Sequence, residues 1–565
     1  MKKYWIYGAG RNAEKYVRVL KKFLDIEYII DKDRKKHGLE ICGVKIVAPE
    51  ILSDFSDEKK IIVSVNNPQI VDKVYEFLDS YGIRKDCDYI NAEKIVNIFP
   101  IVSGTIVGYK NPIPGYLWGK GIDYKSRLIR KIGEEKIFRV INKEFKERYE
   151  VVLEKCIAGN LFGDGIVKTE ITEEISALND CLVLQHEFIK PISYCYEWAP
   201  ETFKDSVSFV LNLISKLTAY NLGIDDGHAL NLTIHNGNFK LVDFGALCNH
   251  VTEPGVLVEF LNTQVLPYIL ISKNEVEKAY MYLKNADINF YPADVKGYLT
   301  STEFRALMDL YSKAIDCVSE KNVVLFVDAT KTFLNEISVI DEETRWEGYQ
   351  NDEWEWSPDK QKWSAKMTSV IELLEEIKPK TIIDLAGNMG WYGSYLREKV
   401  DYSIIADLDT SCVGYLWKKI RKEHFNNVIP VYMSLCSPST AYYKDYPISS
   451  ECIQPWRESA EKRFKCDVAI ALAIVHHLAF AQQLSFTEII NQISVFTTKY
   501  LIIEFIEQTD QYIWDFRKEG FEWYTKDNFE KELKRKYKIL EIKRSTPSES
   551  RYIYLAMLKE TNIEI

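Results

Sequence analysis

The stretch Thr381-Ile-Ile-Asp384-Leu-Ala-Gly387-Asn388-Met-Gly390 decides the fold of the last third of the chain. An apolar run that ends in an acid predicts a buried strand. The glycines after it predict a tight turn opening a helix, where the missing side chains let backbone approach a ligand closely. Upstream, Met367, Val370, Ile371, Leu374 and Ile377 recur at helical spacing, with Pro379 beyond their end. Downstream, YSIIAD (402–407) is a second strand ending in an acid, DVAIALA (467–473) a third that runs into Val475-His476-His477-Leu478, and YLIIEF (500–505) a fourth. Strands and helices in alternation predict a parallel, doubly wound α/β sheet over residues 344–565. The carboxylate of Asp407, at the end of the second strand, is placed to accept hydrogen bonds from both hydroxyls of a ribose.

This ordered set resembles the class I S-adenosylmethionine-dependent methyltransferases, whose first motif is an acid followed by a glycine-rich turn. The resemblance implies that Asp384, Gly387 and Gly390 hold the methionine end of S-adenosylmethionine, with Asn388 in the same turn. It implies that Asp407, beside Leu408, holds the ribose, and that Ser434 in VYMSLCSPS (431–439) stands near the adenine, where many members carry an Asp. His476 and His477 fall where acceptor meets cofactor. Imidazole, with a reference pKa of about 6.5, suits a base for a hydroxyl acceptor at neutral pH; capping of the strand end is the other reading of the pair. A closer resemblance runs from about residue 135 to the end, carried by EWAPETFKD (197–205), the Asp226 to Asn231 loop, LAGNMGW (385–391), ALAIVHHLAF (471–480) and YLIIEF. It is to bacterial methyltransferases of the nodulation-host-specificity type, and it implies a glycan or sugar-bearing acceptor and work alongside glycan-assembly proteins.

Residues 97–343 carry a different pattern. Asp226-Gly-His-Ala-Leu-Asn231 is followed by LTI and FKLVD around His235-Asn236-Gly237-Asn238, a strong hairpin signal, and then by Asp243-Phe-Gly245. Asn231 is five residues past Asp226 and Asp243 seventeen past it, a spacing that resembles the core of protein and small-molecule kinases. The resemblance implies ATP with Mg²⁺ on Asn231 and Asp243, and Asp226 as the group that receives a hydroxyl proton. Two departures stand against it. Asp225 replaces the Arg of protein kinases, and Lys168 in GIVKTEI is the best available strand lysine. Residues 1–96 read as a smaller doubly wound domain: strand KYWIYG, turn Gly8-Ala9-Gly10, a helix through Ala13, Tyr16, Val17 and Leu20, then strand EYIID ending in Asp31. Gly8 and Gly10 have the placement of a dinucleotide-binding turn, and the segment resembles small Rossmann domains of sugar-modifying bacterial enzymes.

A chain of 565 residues with 46% hydrophobic and 28% charged residues predicts several globular domains, here an α/β multidomain protein. A formal net charge of −10 argues against a nucleic-acid binder. The eleven cysteines are scattered, with no CxxC pair or cysteine-to-histidine spacing for zinc. With no signal peptide and no long uninterrupted apolar run, the expected location is the cytoplasm, without a transmembrane segment. The leading expectation is an O-methyltransferase acting on a bacterial glycan or a sugar-bearing precursor. The alternatives are a bifunctional enzyme that phosphorylates a sugar and methylates the product, and a scaffold of glycan assembly without catalysis.

Overall fold

The computed structural model describes residues 3–559 apart from 11–12, 22–23, 57, 66–67, 86–87, 93–115, 119–124, 176–180, 285–289, 340–359, 441–456, 512, 514–519 and 546–549. Both expected domain boundaries, at 97 and 344, lie outside the described residues.

At the N-terminus, β1 (Lys3–Tyr7), β2 (Asp25–Ile30), β3 (Glu40–Ile41), β4 (Val44–Val47), β5 (Lys59–Val63) and β6 (Tyr89–Asn91) form one sheet in the order β3-β4-β2-β1-β5-β6. Apart from the β3–β4 pair its strands are parallel. Helices Ala13–Leu20 and Pro68–Asp79 supply the crossovers, and a separate apolar cluster covers each face.

The middle unit begins with β7 (Tyr116–Trp118), β8 (Ser126–Lys131), β9 (Ile137–Ile141), β10 (Thr169–Ile171) and β11 (Leu182–His186), an antiparallel sheet ordered β10-β11-β9-β8-β7. Helix Lys146–Ala158 separates β9 from β10. A helical part follows around Pro200–Ala219, which buries Phe203, Val207, Val210, Leu211, Ile214 and Leu217 at helical spacing. The helix closes on Tyr220, three residues before the glycine that could serve as its stop. Gly223 instead opens β12 (Gly223–Ile224), where a Cβ would lie 2.4 Å from the Thr252 nitrogen, so close backbone approach is what requires the glycine. β12 pairs with β15 (Leu247–Cys248), and β13 (Leu232–His235) forms the expected hairpin with β14 (Asn238–Leu241). The stretch Pro254–Ser272 is long and apolar enough to cross a membrane, with a mean hydropathy of 1.4, but 72% of it is buried within the fold, as a core helix would be.

The C-terminal sheet has seven strands: β16 (Thr381–Leu385), β17 (Tyr402–Asp407), β18 (Val428–Tyr432), β19 (Cys466–Ala471), β20 (Thr497–Ile506), β21 (Tyr537–Arg544) and β22 (Arg551–Leu558). Their order is β18-β17-β16-β19-β20-β22-β21, with the first five parallel and the last two joined antiparallel. Because helices cover both faces, the central strands read as continuous apolar runs, and Ile382, Ile383, Ile404, Ile405, Val468 and Ile470 are completely buried. The strand order reverses between β16 and β19, and the carboxyl ends of strands at such a reversal are where doubly wound sheets bind ligands.

Candidate active site

The turn after β16 places three left-handed residues within five positions. Ala386, Asn388 and Gly390 have φ of +56°, +50° and +84°, so two of these three left-handed positions are held by residues with a side chain. Such strain persists where surrounding contacts over-determine it, which is common at ligand-binding turns. Here the contacts come from the two acids named from the sequence. The Asp407 carboxylate accepts from the Asn388 backbone N–H at 2.7 Å and from the Asp409 N–H at 2.8 Å, and so fastens the turn to the end of β17. Asp384, 2% exposed beneath the turn, accepts from the Gly393 N–H at 3.0 Å. A Cβ on Gly387 would lie 2.8 Å from Ile405 Cγ2 and 2.9 Å from Asp384 Cγ, so this glycine is required by space. The buried Oδ1 of Asn388 has no partner among the described residues.

The two acids share an electrostatic problem. Burial pushes the Asp384 carboxyl up to about 7, with the Asp407 charge adding to the rise, and burial raises Asp407 as well. A cationic ligand beside them would favour both carboxylates. Leu408, 57% exposed, bonds through its backbone N–H to the Asp407 carboxylate. Ser434 follows β18, and the Met433 N–H donates to the Asp407 carbonyl at 2.9 Å, which joins the segment that carries Ser434 to the end of β17.

Beyond the carboxyl end of β19, His476 and His477 lie on the short helix Val475–Phe480, their rings 4.2 Å apart. His476 is buried and His477 partly exposed. Burial, with the charges of His477, Arg551 and Lys366, lowers the His476 imidazole to about 3. It therefore stays neutral at pH 7 and is a weak base, whereas His477 reaches solvent. Two further residues belong here. Glu504, fully buried at the end of β20, pairs with Lys366 Nζ at 2.6 Å and accepts from Ser545 Oγ at 2.7 Å. It also accepts at 2.9 Å from the N–H of Ala473, whose φ is +52° and which precedes the histidine helix. The signal for Glu504 was visible as a lone acid in an apolar strand. Lys366 carried none, because its helix position reads as surface.

The middle unit brings its three singled-out residues into one region. The Val242 N–H donates to the Asn231 carbonyl at 2.9 Å and the Asp225 N–H to the Ala246 carbonyl at 2.6 Å, so the loop before β13 lies against the turn after β14. Asp243 forms an ion pair with Arg139 of β9, which also donates to Ser126 Oγ at 2.8 Å. Lys168 is not at Asp243: its backbone bonds with Glu187, and Arg139 is the strand cation that faces Asp243. Sequence reading passed over Arg139 in IFRVI because a lysine was the residue sought. Asp225 pairs with Lys125 at 3.0 Å and with Arg148 at 2.5 Å; burial raises its carboxyl but these cations outweigh that, and the net shift is downward. Asp226 accepts from the His228 N–H at 3.0 Å, and its carboxylate, His228 and Glu259 present ligand atoms within 4.8 Å of one another.

In the N-terminal unit, Gly8 has φ of +103°, and a Cβ there would lie 2.7 Å from Val65 Cγ2. Asp31 accepts from the Ala9 N–H at 2.6 Å and from the Asp33 N–H at 2.8 Å, the same clasp of glycine turn and acid seen at Asp407. Gly10 has open space at its Cβ.

No family model matches the chain. The nodulation protein NoeA of Rhizobium meliloti (strain 1021) is 23% identical over 407 residues, 66% of this chain and 81% of that protein. Among solved structures, N-methyltransferase NodS from Bradyrhizobium japonicum WM9 with S-adenosyl-L-homocysteine has a TM-score of 0.28 at 11% identity, over 38% of this chain and 96% of that one. Magnesium protoporphyrin IX methyltransferase from Synechocystis PCC 6803 with bound S-adenosylmethionine has a TM-score of 0.25 at 12% identity, over 47% and 97%. The chain is similar to methyltransferases.

Proposed function

We propose that the C-terminal unit is an S-adenosylmethionine-dependent methyltransferase that transfers a methyl group to a hydroxyl of a glycan or sugar-bearing precursor. The observation that carries the reading is the cradle at the strand-order reversal. There a left-handed turn lies against two acids of raised pKa, the buried Asp384 and the partly buried Asp407, the second at the strand end where a ribose would be held, an arrangement suited to a cationic nucleoside. Asp384 supports the turn from below through Gly393, Asn388 and Gly390 shape its rim, and Asp407 links turn and ribose side. The cofactor supplies the electrophilic methyl group, and the chain's part is to hold it in line with the acceptor oxygen and to take up the proton. His477 has the exposure for that second task, and His476 packs beside it as a neutral partner.

Calorimetry of the full chain with S-adenosylmethionine tests the cofactor assignment. Asp407→Ala should weaken binding by about 1–3 kcal/mol, the cost of leaving buried polar partners unpaired. Labelled methyl transfer to a panel of sugars and oligosaccharides tests the acceptor class. Unchanged affinity in Asp407→Ala would refute the ribose role.

A second reading, in which the middle unit is kinase-like and binds Mg²⁺-ATP, is favoured by one observation. Arg139, a cation within the five-stranded antiparallel sheet, pairs with Asp243, and the Asn231 carbonyl accepts from the N–H of Val242, the residue before Asp243. On this reading Arg139 leaves Asp243 for the phosphates when metal binds. A thermal shift with Mg²⁺-ATP that persists in Asp243→Ala would remove it.

A further inference from the structure

The segment that leaves the cofactor cradle on the β18 side is not held by the C-terminal unit alone. After Ser434 the chain turns, with the Ser437 N–H donating to the Ser434 carbonyl at 3.2 Å, and reaches Ser439. Ser439 Oγ donates to the carboxylate of Glu197, a residue of the middle unit. Its carbonyl accepts from the Ala460 N–H at 2.8 Å, so the start and the end of the β18–β19 connection meet there. From the end of that connection, Arg463 donates to Glu197 Oε2 at 2.9 Å, a second time to Oε1, and to the Ile192 carbonyl at 2.6 Å. The Arg463 and Glu197 side chains are only 4% and 3% exposed. The Glu458 N–H donates to Tyr194 Oη at 3.1 Å, and the Arg463 guanidinium lies 4.2 Å from the Tyr194 ring centre. Beside it, Tyr432, the last residue of β18, donates to Glu277 at 2.9 Å and packs its ring 5.1 Å from that of Tyr280. Glu197 is itself fixed by accepting from the Tyr194 N–H at 2.9 Å.

We infer that Glu197 of the middle unit is a positioning residue for the cofactor site of the C-terminal unit: with Arg463 and Ser439 it sets the wall that covers the adenine end. The inference rests on the methyltransferase reading above. A carboxylate that loses its charge here leaves the Arg463 guanidinium buried without its counter-ion, and a buried guanidinium will move toward water. The first backbone to follow is the one joined to it through Ser439, next to Ser434.

The test uses the full chain, with S-adenosylmethionine and adenosine as calorimetric probes and hydrogen–deuterium exchange as a second readout. Glu197→Gln is expected to weaken both ligands at least tenfold and to raise exchange locally in residues 433–440 and 457–466. Ser439→Ala, which leaves the ion pair in place, is expected to weaken both two- to fivefold. Glu201→Gln, whose partner Lys418 is a surface residue of the same contact at 3.3 Å, should leave binding unchanged. A merely structural role would lower the melting temperature of Glu197→Gln with affinity and local exchange retained, and that result overturns the inference while the methyltransferase reading stands. If Glu197→Gln does not fold, wild-type affinity in Ser439→Ala overturns it equally. An unaltered chain that binds neither probe removes both readings.

Discussion

The carboxyl of Asp384 shows how one residue trades stability for binding. Its folded pKa of about 7 lies above the ordinary carboxylate value, so the folded chain holds that proton more tightly than the unfolded chain does. Its contribution to stability is therefore full at low pH, declines as pH rises from about 4 to about 7, and is flat above. Asp384→Asn keeps an oxygen to accept from Gly393 but carries no charge. It should raise the ligand-free stability at pH 8 by a few kcal/mol, at about 1.36 kcal/mol per tenfold difference in proton affinity, with little gain at pH 4, while S-adenosylmethionine binding is lost. Thermal unfolding at the two pH values checks the sign. His476 behaves in the opposite way. With its imidazole lowered to about 3, His476 cannot produce a rate that climbs through pH 6–7. Any such climb should disappear in His477→Ala, with a loss of about 10²- to 10⁴-fold in turnover and unchanged cofactor affinity. A climb that survives in His477→Ala would exclude it as the base. The sequence named both histidines, but two adjacent letters could not reveal that one is buried within the field of Lys366 and Arg551 and the other partly exposed.

At the scale of the element, strands and turns were legible wherever local chemistry and tertiary position agree. TIIDL, YSIIAD and DVAIA are buried on both faces, so their continuous apolar runs announce parallel strands, and Asn236-Gly237 announces its hairpin. Gly223 has the place of a helix stop, but close approach of the backbone at residues 250–252 is what requires the glycine. The lone charges Arg139 and Glu504 lay in plain sight in apolar strands, yet their partners come from elements 104 and 138 residues away, a separation no spacing rule reaches. Gly393 makes the same point in the cradle. It stands outside the glycine motif, in the helix Trp391–Tyr395, and a Cβ there would lie 2.3 Å from Ile405 Cδ1 and 2.9 Å from Asp384 Cβ. Gly393→Ala must push the helix from the sheet, at a cost of about 1–3 kcal/mol, and should weaken S-adenosylmethionine more than Gly10→Ala, whose Cβ meets open space. Equal effects from the two, measured by calorimetry, would show that the cradle does not depend on this packing.

For the whole molecule, the contact between the middle and C-terminal units has the character of a shared core. Trp417, on the helix Thr410–Glu423, is 1% exposed and belongs to the middle unit's apolar cluster, with its ring 5.1 Å from Phe239 and its Nε1 donating to Asp205 at 2.8 Å. Arg421 donates to the Gly237 carbonyl at 3.2 Å, so the tip of the β13–β14 hairpin rests on the same helix. A contact that buries a tryptophan and the Glu197–Arg463 pair costs too much to open for the two units to unfold independently. They should melt in one transition. S-adenosylmethionine at about 100 times its dissociation constant adds roughly 2.7 kcal/mol to whatever unfolds with its site. That gain should appear as an equal upward shift for reporters in both units, for instance exchange protection in Pro200–Ala219 and in β19, although the cradle lies only in the second. Trp417→Ala removes the shared ring and should split the transition, leaving the ligand shift in the C-terminal reporter alone. If the ligand moves only that reporter in the unaltered chain, the units are joined by contact without energetic coupling, and the middle unit's influence on the cradle would be confined to the wall around Ser439.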